Sequence, residues 1–144
     1  MDRQQKLVPH LVVDGAAAAL DFYRRAFGAE EVMRVPAEDG KRLMHAAMVV
    51  HGCNVYLCDH FPEFCSEASG ENKVAPPPVI GGTAVTLHLD VPNCDEAVAR
   101  AEAAGAVVTM PPEDAFWGDR YARIRDPFGH SWSMAHPLPG AQRG

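Results

Sequence analysis

The sequence lacks an apolar run approaching the roughly 20 residues that cross a bilayer, and its opening stretch MDRQQKLVPH lacks the apolar core of a signal peptide. It also lacks excess positive charge, because 13 lysines and arginines stand against 19 aspartates and glutamates, a formal net charge of −6. These absences argue against membrane and nucleic-acid partners. They favour a cytoplasmic protein with a small-molecule partner. A length of 144 residues suffices for one compact domain.

Cysteine is sparse, and its spacing fits neither a metal-binding motif nor a disulfide framework. The four cysteines, Cys53, Cys58, Cys65 and Cys94, include no CxxC pair. A scaffold held by disulfides would carry them at higher density. The sequence therefore predicts reduced thiols and gives little support to a zinc ribbon.

The two halves of the sequence resemble each other. HLVVDGAAAALDFYRRAFGAEEVM and LHLDVPNCDEAVARAEAAGAVVTM each begin with a strand-like run, pass through a helical segment and reach Gly-Ala before another β-like run. Such self-similarity predicts a module that occurs twice. We expect a first module over residues 1–62, a linker rich in proline and glycine over 63–82, and a second module over 83–144, all within one compact domain.

Start and stop signals bound one helix in each module. In the first module, Asp14 is the expected N-cap and Gly28 supplies the left-handed residue that ends the helix. In the second, Asn93 and Glu96 form the pattern of a capping box and Gly105 is the stop. Strand candidates follow at 30–36, 41–50 and 53–59, and again at 106–110, 118–125 and 130–136. The predicted fold class is therefore α+β, with a βαβββ unit formed twice.

Three ordered blocks carry a resemblance to a known superfamily: HLVVDGAAAALDFYRRAFGAE, GGTAVTLHLDVPNCDEAVARAEAAGA and FWGDRYARIRDPFGHSW. They resemble the vicinal oxygen chelate superfamily of glyoxalase I, bleomycin-resistance proteins and extradiol dioxygenases, and most of all its PhnB-like branch. The resemblance implies two βαβββ modules that curl into a half-open sheet, with a ligand cleft on the concave face. It also implies a homodimer, formed by side-by-side modules or by their exchange.

The same resemblance implies four metal-ligand positions, which are usually His and Glu. They fall on Val8, Tyr56, Thr86 and Ser133, none of which is a histidine or a carboxylate. The usual metal site is therefore expected to be absent, and no cofactor is predicted. Ser133 belongs to the closing hairpin RIRDPFGHSWSMAH, in which His130 is part of the turn and is interpreted as a structural residue.

Strand alternation points two histidines toward the predicted cleft. His88 lies between two leucines that are expected to face the helix, and His10 takes the corresponding position in the first module. Two interpretations stay open. The pair forms a displaced divalent-metal site, which needs a third ligand such as Cys58 or Asp90, or both are hydrogen-bonded histidines that line a wet cleft.

Three histidines are candidate catalytic residues, because an imidazole titrates near neutrality and can act as a general base. They are His45, His10 and His88. The sequence places no carboxylate beside His45, so a structural role is the alternative for that residue.

Four side chains are predicted ligand contacts: Tyr56, His88, Trp117 and Arg120. The aromatic rings are suited to stacking on a ligand. A guanidinium can bind a carboxylate or phosphate, but Arg120 and Arg123 lie on alternate faces of one predicted strand, so only one of them points inward. A solvated salt bridge is the alternative for Arg120.

Two classes of function fit these features. The favoured one is a metal-free cleft that binds a small, partly aromatic molecule, as bleomycin-resistance relatives do. The alternative is a metal-dependent lyase, isomerase or dioxygenase with a displaced metal site at His10 and His88. A metal-free isomerase or epimerase that uses one of the histidines as a base lies between them, and the sequence leaves catalysis open.

Overall fold

The computed structural model describes residues 6–64 and 74–140 and contains two separate four-stranded sheets. The first sheet has β1 (His10–Val13), β2 (Glu30–Pro36), β3 (Leu43–Val50) and β4 (Cys53–Asp59), in the order β1-β4-β3-β2. The second has β5 (Thr86–Asp90), β6 (Val107–Asp114), β7 (Asp119–Arg125) and β8 (Ser131–Pro137), in the order β5-β8-β7-β6. The helices are α1 (Ala16–Phe27), α2 (Pro77–Ile80) and α3 (Cys94–Ala104).

Each sheet pairs its first strand in parallel with its last, and its other neighbours are antiparallel. A helix follows the first strand of each sheet, so the βαβββ unit occurs twice and the α+β class is confirmed. Neither sheet closes on itself, which leaves β1, β2, β5 and β6 as edges. The architecture is therefore the half-open one that the sequence predicts.

Both units share one hydrophobic core. Trp132 of β8 is 1% exposed and packs on Tyr23 and Phe27 of α1, with ring centroids 5.5 and 4.6 Å away. The buried carboxylate of Asp126 accepts hydrogen bonds from the Tyr23 hydroxyl at 2.5 Å and from the Trp132 indole at 2.9 Å. Burial, and then the charge of Asp126, raise the pKa of Tyr23, so its hydroxyl stays protonated and donates.

Helix α1 is capped from a distant strand and not by its own neighbour. The predicted cap Asp14 is wrong, because the N-cap is Gly15, with no capping side-chain hydrogen bond. Instead Oδ1 of Asp59, at the end of β4, accepts from the N–H groups of Gly15 at 2.7 Å and Ala16 at 2.9 Å. Its Oδ2 accepts from the N–H of Leu43 at 2.7 Å, so one carboxylate joins the start of α1 to the start of β3.

Helix α3 begins as the sequence predicts. Asn93 is its N-cap, and the side-chain oxygen accepts from the N–H of Glu96 at 3.0 Å. His136, near the end of β8, adds a second contact, because its Nδ1 accepts from the N–H of Cys94 at 2.7 Å. The glycines predicted to end the two long helices do so. Among the described residues, no helix combines the length and apolar character that a membrane crossing requires.

Proline-containing segments differ most from the prediction. Strand β6 continues to Asp114 through two prolines, beyond the predicted end at 110, because it is an edge strand that can lose N–H donors. Part of the predicted linker is packed, with Ala75 and Pro76 buried just before α2 and Pro77 buried at its first position. These prolines therefore belong to a packed bend and not to an exposed linker.

Candidate functional site

Each sheet has one face against the helices and one face turned away from them, because core side chains alternate along the strands with outward ones. The outward face of the first sheet, here the first open face, bears His10, Val12, His45, Ala47, Tyr56 and Cys58. The outward face of the second sheet, here the second open face, bears Thr86, His88, Tyr121, Arg123, Ser131 and Ser133. The strand alternation predicted for the two cleft histidines is the one observed.

Three candidate residues from separate strands meet on the first open face. His10 lies opposite Tyr56 in the register of β1 and β4, with ring centroids 6.2 Å apart. His45 of β3 completes the group, 5.8 Å from His10 and 5.0 Å from Tyr56. All three contacts are edge-to-face. Two imidazoles and a phenol together can stack on an aromatic ligand and can exchange hydrogen bonds with its polar groups.

The surroundings of His10 favour its neutral form. Partial burial, and secondly the neighbouring His45, lower the pKa of His10 below its ordinary value. His10 is therefore a free base at neutral pH and can accept a proton. Because the unfolded chain binds this proton more readily, the His10 contribution to stability is complete above the ordinary pKa of about 6.5 and falls at lower pH.

Replacing His45 with alanine is expected to raise the pKa of His10 toward its ordinary value, because one of the two causes of the shift is removed. The His10 ring protons followed by NMR across a pH titration measure this change. His88→Ala is the matched control, since His88 belongs to the other sheet. The proximity of His10 and His45 would be contradicted if the His10 pKa changed in His88→Ala but remained the same in His45→Ala.

His88 is held at both ring nitrogens on the second open face. Its Nδ1 lies 2.8 Å from the hydroxyl of Ser133, and its Nε2 lies 3.1 Å from Oδ1 of Asp90. The ring stacks nearly parallel to Tyr121, at 6.3 Å and 14°. This is the hydrogen-bonded arrangement that the sequence left open as the alternative to a metal ligand.

Trp117 contacts the Tyr121 ring that stacks on His88. Its ring meets Tyr121 edge-to-face with centroids 5.4 Å apart, and its indole N–H donates to Asp119 at 3.1 Å. The side chain is 48% exposed even though its orientation is fixed by these contacts. Tyr121, His88 and Trp117 therefore form a row of aromatic rings that is open to a ligand.

Arg120 and Arg123 lie on opposite faces of β7. Arg120 lies on the helix side, where its guanidinium binds both oxygens of Asp95 at 3.0 Å and one oxygen of Asp114 at 3.1 Å. Arg123 lies on the second open face, where its Nε donates to the hydroxyl of Tyr121 at 2.8 Å. The inward arginine is thus Arg123, and the predicted ligand contact Arg120 is turned away. Tyr121 was missed, although strand alternation with Arg123 signals its orientation.

A cavity of about 310 Å³ adjoins the first open face. Its lining is His10, Val12, Cys58, Asp59, His60, Phe61 and Val74. The guanidinium of Arg42 lies 4.2 Å from the ring centroid of Phe61, a cation–π contact that positions this wall. The volume fits one small molecule.

The side chains at the four positions implied by the resemblance do not fit a His and Glu ligand set. Thr86 shares a hydrogen bond with Ser131, and Ser133 shares one with His88. Within 6–64 and 74–140, no three side chains of His, Cys, Asp or Glu gather into a group that could hold a metal ion. His10 and His88 lie on separate sheets, each with its own partners.

Within the described ranges, no disulfide joins Cys53, Cys58 and Cys94. Burial, and secondly the charge of Asp95, raise the pKa of Cys94, whose thiol donates to the carbonyl of Met134 at 3.4 Å. A protonated, buried thiol is a poor nucleophile. Cys65 lies outside the described residues.

Comparisons with known proteins agree with this architecture. An uncharacterized protein of Mycobacterium bovis is 49% identical over 132 residues, which cover 92% of this chain and 83% of that protein. TioX from Micromonospora sp. ML1 superposes with a TM-score of 0.67 at 29% identity, over 94% of this chain and 100% of that one. The PhnB protein from Bacillus cereus shares the fold, with a TM-score of 0.66 at 18% identity over 92% of this chain and 99% of that one.

A family model described as Glyoxalase/Bleomycin resistance protein/Dioxygenase superfamily matches residues 6–134. This match spans both βαβββ units, from the segment before β1 to the middle of β8. The chain belongs to the glyoxalase/bleomycin resistance protein/dioxygenase superfamily.

Proposed function

We propose that this chain binds a small, partly aromatic molecule on its open faces without a metal ion. The observation that carries the proposal is the row of Trp117, Tyr121 and His88 on the second open face. Tyr121 contacts both other rings, and Trp117 keeps 48% of its surface exposed. Fixed, accessible aromatic rings offer stacking surface at little entropic cost.

The first open face supports the same proposal. His10, His45 and Tyr56 present a second group of rings, and the adjoining cavity has room for a small molecule. We propose a homodimer as the binding form, because an edge strand of the described chain leaves apolar side chains exposed. Edge strand β2 is exposed along its whole length and carries the exposed side chains Val32, Met33 and Val35. Light scattering after size exclusion measures the assembly, and a monomer at all concentrations would contradict it.

The two indole N–H signals of the protein offer a direct test of ligand binding. Trp117 is half exposed, whereas Trp132 is buried with its N–H bound to Asp126. Titration of nitrogen-15-labelled protein with the neutral probe 4-nitrobenzamide is expected to shift the Trp117 signal saturably and to leave that of Trp132 in place. A Kd of about 1 mM corresponds to roughly 0.3 kcal/mol per non-hydrogen atom of such a probe.

The variant Trp117→Phe assigns the signal and keeps an aromatic ring at that position. We expect this variant to retain binding and Trp117→Ala to weaken it, as measured from the backbone amide signals of β7, because both variants lack the Trp117 indole. If the Trp117 signal does not move, or moves only together with that of Trp132, aromatic binding at this face is wrong.

Metal analysis separates the proposal from the metal-dependent alternative. Protein purified without a histidine tag is expected to hold no stoichiometric Zn, Ni, Fe or Mn. A stoichiometric metal that is lost in the His10→Ala/His88→Ala double variant would overturn the metal-free proposal and favour the alternative, a metal-dependent lyase, isomerase or dioxygenase.

A further inference from the structure

Arg123 differs from most other arginines of the described chain in having no carboxylate partner. Five arginines form ion pairs with nearby Asp or Glu side chains, and Arg100 donates to the carbonyls of Arg24 and Arg25. Over residues 6–64 and 74–140, Arg123 is in no ion pair. Arg125, two residues further along β7, forms no ion pair within these ranges either, so what distinguishes Arg123 is its hydrogen bond to Tyr121.

The guanidinium of Arg123 is nevertheless oriented. Its Nε donates to the Tyr121 hydroxyl at 2.8 Å, and its Cζ lies 5.8 Å from the centroid of the Tyr121 ring. The two terminal nitrogens have no partner among the described residues. A fixed Arg with a free pair of parallel N–H groups has the geometry that binds a carboxylate with two hydrogen bonds.

Two carboxylates, those of Asp90 and Glu113, lie on the second open face with Arg123. Asp90 binds Nε2 of His88 at 3.1 Å, and Glu113 lies opposite Tyr121 on the edge strand β6. The ion pair that the structure gives Asp90 is with His88. The positive charge is therefore available on the same face as the aromatic row.

We infer that the second open face recognises an aromatic carboxylate, with Arg123 binding the carboxylate and Trp117, Tyr121 and His88 contacting the ring. Tyr121 has two roles, because its ring is part of the row and its hydroxyl positions the guanidinium. This inference rests on the proposed function and names the chemical class of its ligand.

A matched pair of probes tests the inference. At neutral pH 4-nitrobenzoate is an anion, and 4-nitrobenzamide is its neutral counterpart of nearly equal shape. We expect the anion to bind roughly tenfold more tightly, as a charge-assisted hydrogen bond near solvent allows. The preference is expected to decrease with added salt, and the Trp117 indole signal reports both titrations.

Arg123→Gln is expected to abolish the preference for the anion while the neutral probe binds as before. Arg24→Gln is the matched control, because it removes the same charge from the exposed surface of α1, where Arg24 pairs with Asp21. Arg123→Lys keeps the charge without the paired N–H groups and is expected to retain part of the preference. Tyr121→Phe keeps the ring and removes the hydroxyl that positions the guanidinium, so it is expected to reduce the preference for the anion.

The possible outcomes separate the two proposals. Equal binding of both probes to the wild-type protein would overturn the carboxylate inference and leave aromatic binding intact. A preference that survives in Arg123→Gln would also overturn it. Failure of both probes to shift Trp117 would overturn aromatic binding itself. A dispersed amide spectrum of Arg123→Gln shows that a loss of preference does not arise from unfolding.

Discussion

Replacing Asp59 with alanine is expected to lower the free energy of unfolding by about 3 kcal/mol. Its carboxylate is 4% exposed and accepts hydrogen bonds from the N–H groups of Gly15, Ala16 and Leu43. Each hydrogen bond to a charged group contributes roughly 1.5–3 kcal/mol, but the sum is not reached because water enters the vacated space. Thermal unfolding followed by circular dichroism measures the effect, with an expected decrease in Tm of roughly 6–12 °C.

Asp14→Ala is the matched control, since it removes the carboxylate that the sequence predicts as the cap of α1. Asp14 is exposed, and we expect this change to alter stability by less than about 0.5 kcal/mol. Asp59→Asn retains one acceptor oxygen and is expected to give an intermediate loss. A loss for Asp14→Ala that equals the loss for Asp59→Ala would restore the sequence-based assignment.

The order of helices and strands was predictable because their signals are local. The glycine stops, the Asn93 cap and the alternation around His88 each depend on residues only a few positions apart. The cap of α1 was not predictable in this way, because Asp59 lies 44 residues from Gly15 in the sequence. Asp14 occupies a typical capping position, and only the tertiary structure shows that a strand supplies the group.

The individual residues of the candidate site were predictable from the sequence, but their contacts with one another were not. His10, His45 and Tyr56 were each identified from the sequence, but their contacts depend on the register of three strands. The choice between Arg120 and Arg123 depended on which face of β7 meets α3. Ala122 and Ile124 are buried and place Arg120 on their side of the strand, where it binds Asp95 in the first turn of α3.

In both βαβββ units a side chain of the last strand binds the start of the helix. The units differ in the residues on their open faces. Asp59 and His136 lie three residues after the partners of His10 and His88 in the strand register, and each accepts an N–H at the start of the helix of its own unit. The faces differ, because the first carries imidazoles beside a phenol, whereas the second adds the unpaired Arg123. The two open faces therefore differ in the chemical groups that they expose.

The turn of the hairpin RIRDPFGHSWSMAH is a junction between distant segments. His130 lies with its Nε2 2.9 Å from the carbonyl oxygen of Val12 in β1, which supports the structural role predicted for it. A Cβ added at Gly129 would lie 2.8 Å from Pro78 and 3.0 Å from Pro77, on the segment that joins the two units. The turn thus contacts both strand β1 of the first sheet and the segment that connects the two sheets.

Gly129→Ala is expected to lower the free energy of unfolding by about 3 kcal/mol, because it combines a left-handed backbone with a steric clash. Gly129 has a φ of +93°, and its neighbours are backbone-bound proline rings that cannot rotate away. Gly40→Ala is the matched control, since Gly40 has a φ of +70° with no atom within 4 Å of the added Cβ. Only the backbone cost of about 1 kcal/mol is expected there.

A double-variant cycle isolates the clash from the backbone cost. In a Pro78→Ala background, Gly129→Ala is expected to cost less than in the wild-type protein, because the atom at 2.8 Å is removed. Urea unfolding of the four proteins gives the coupling energy. Equal costs at Gly129 and Gly40, with no coupling to Pro78, would show that the segment around α2 does not pack on this turn.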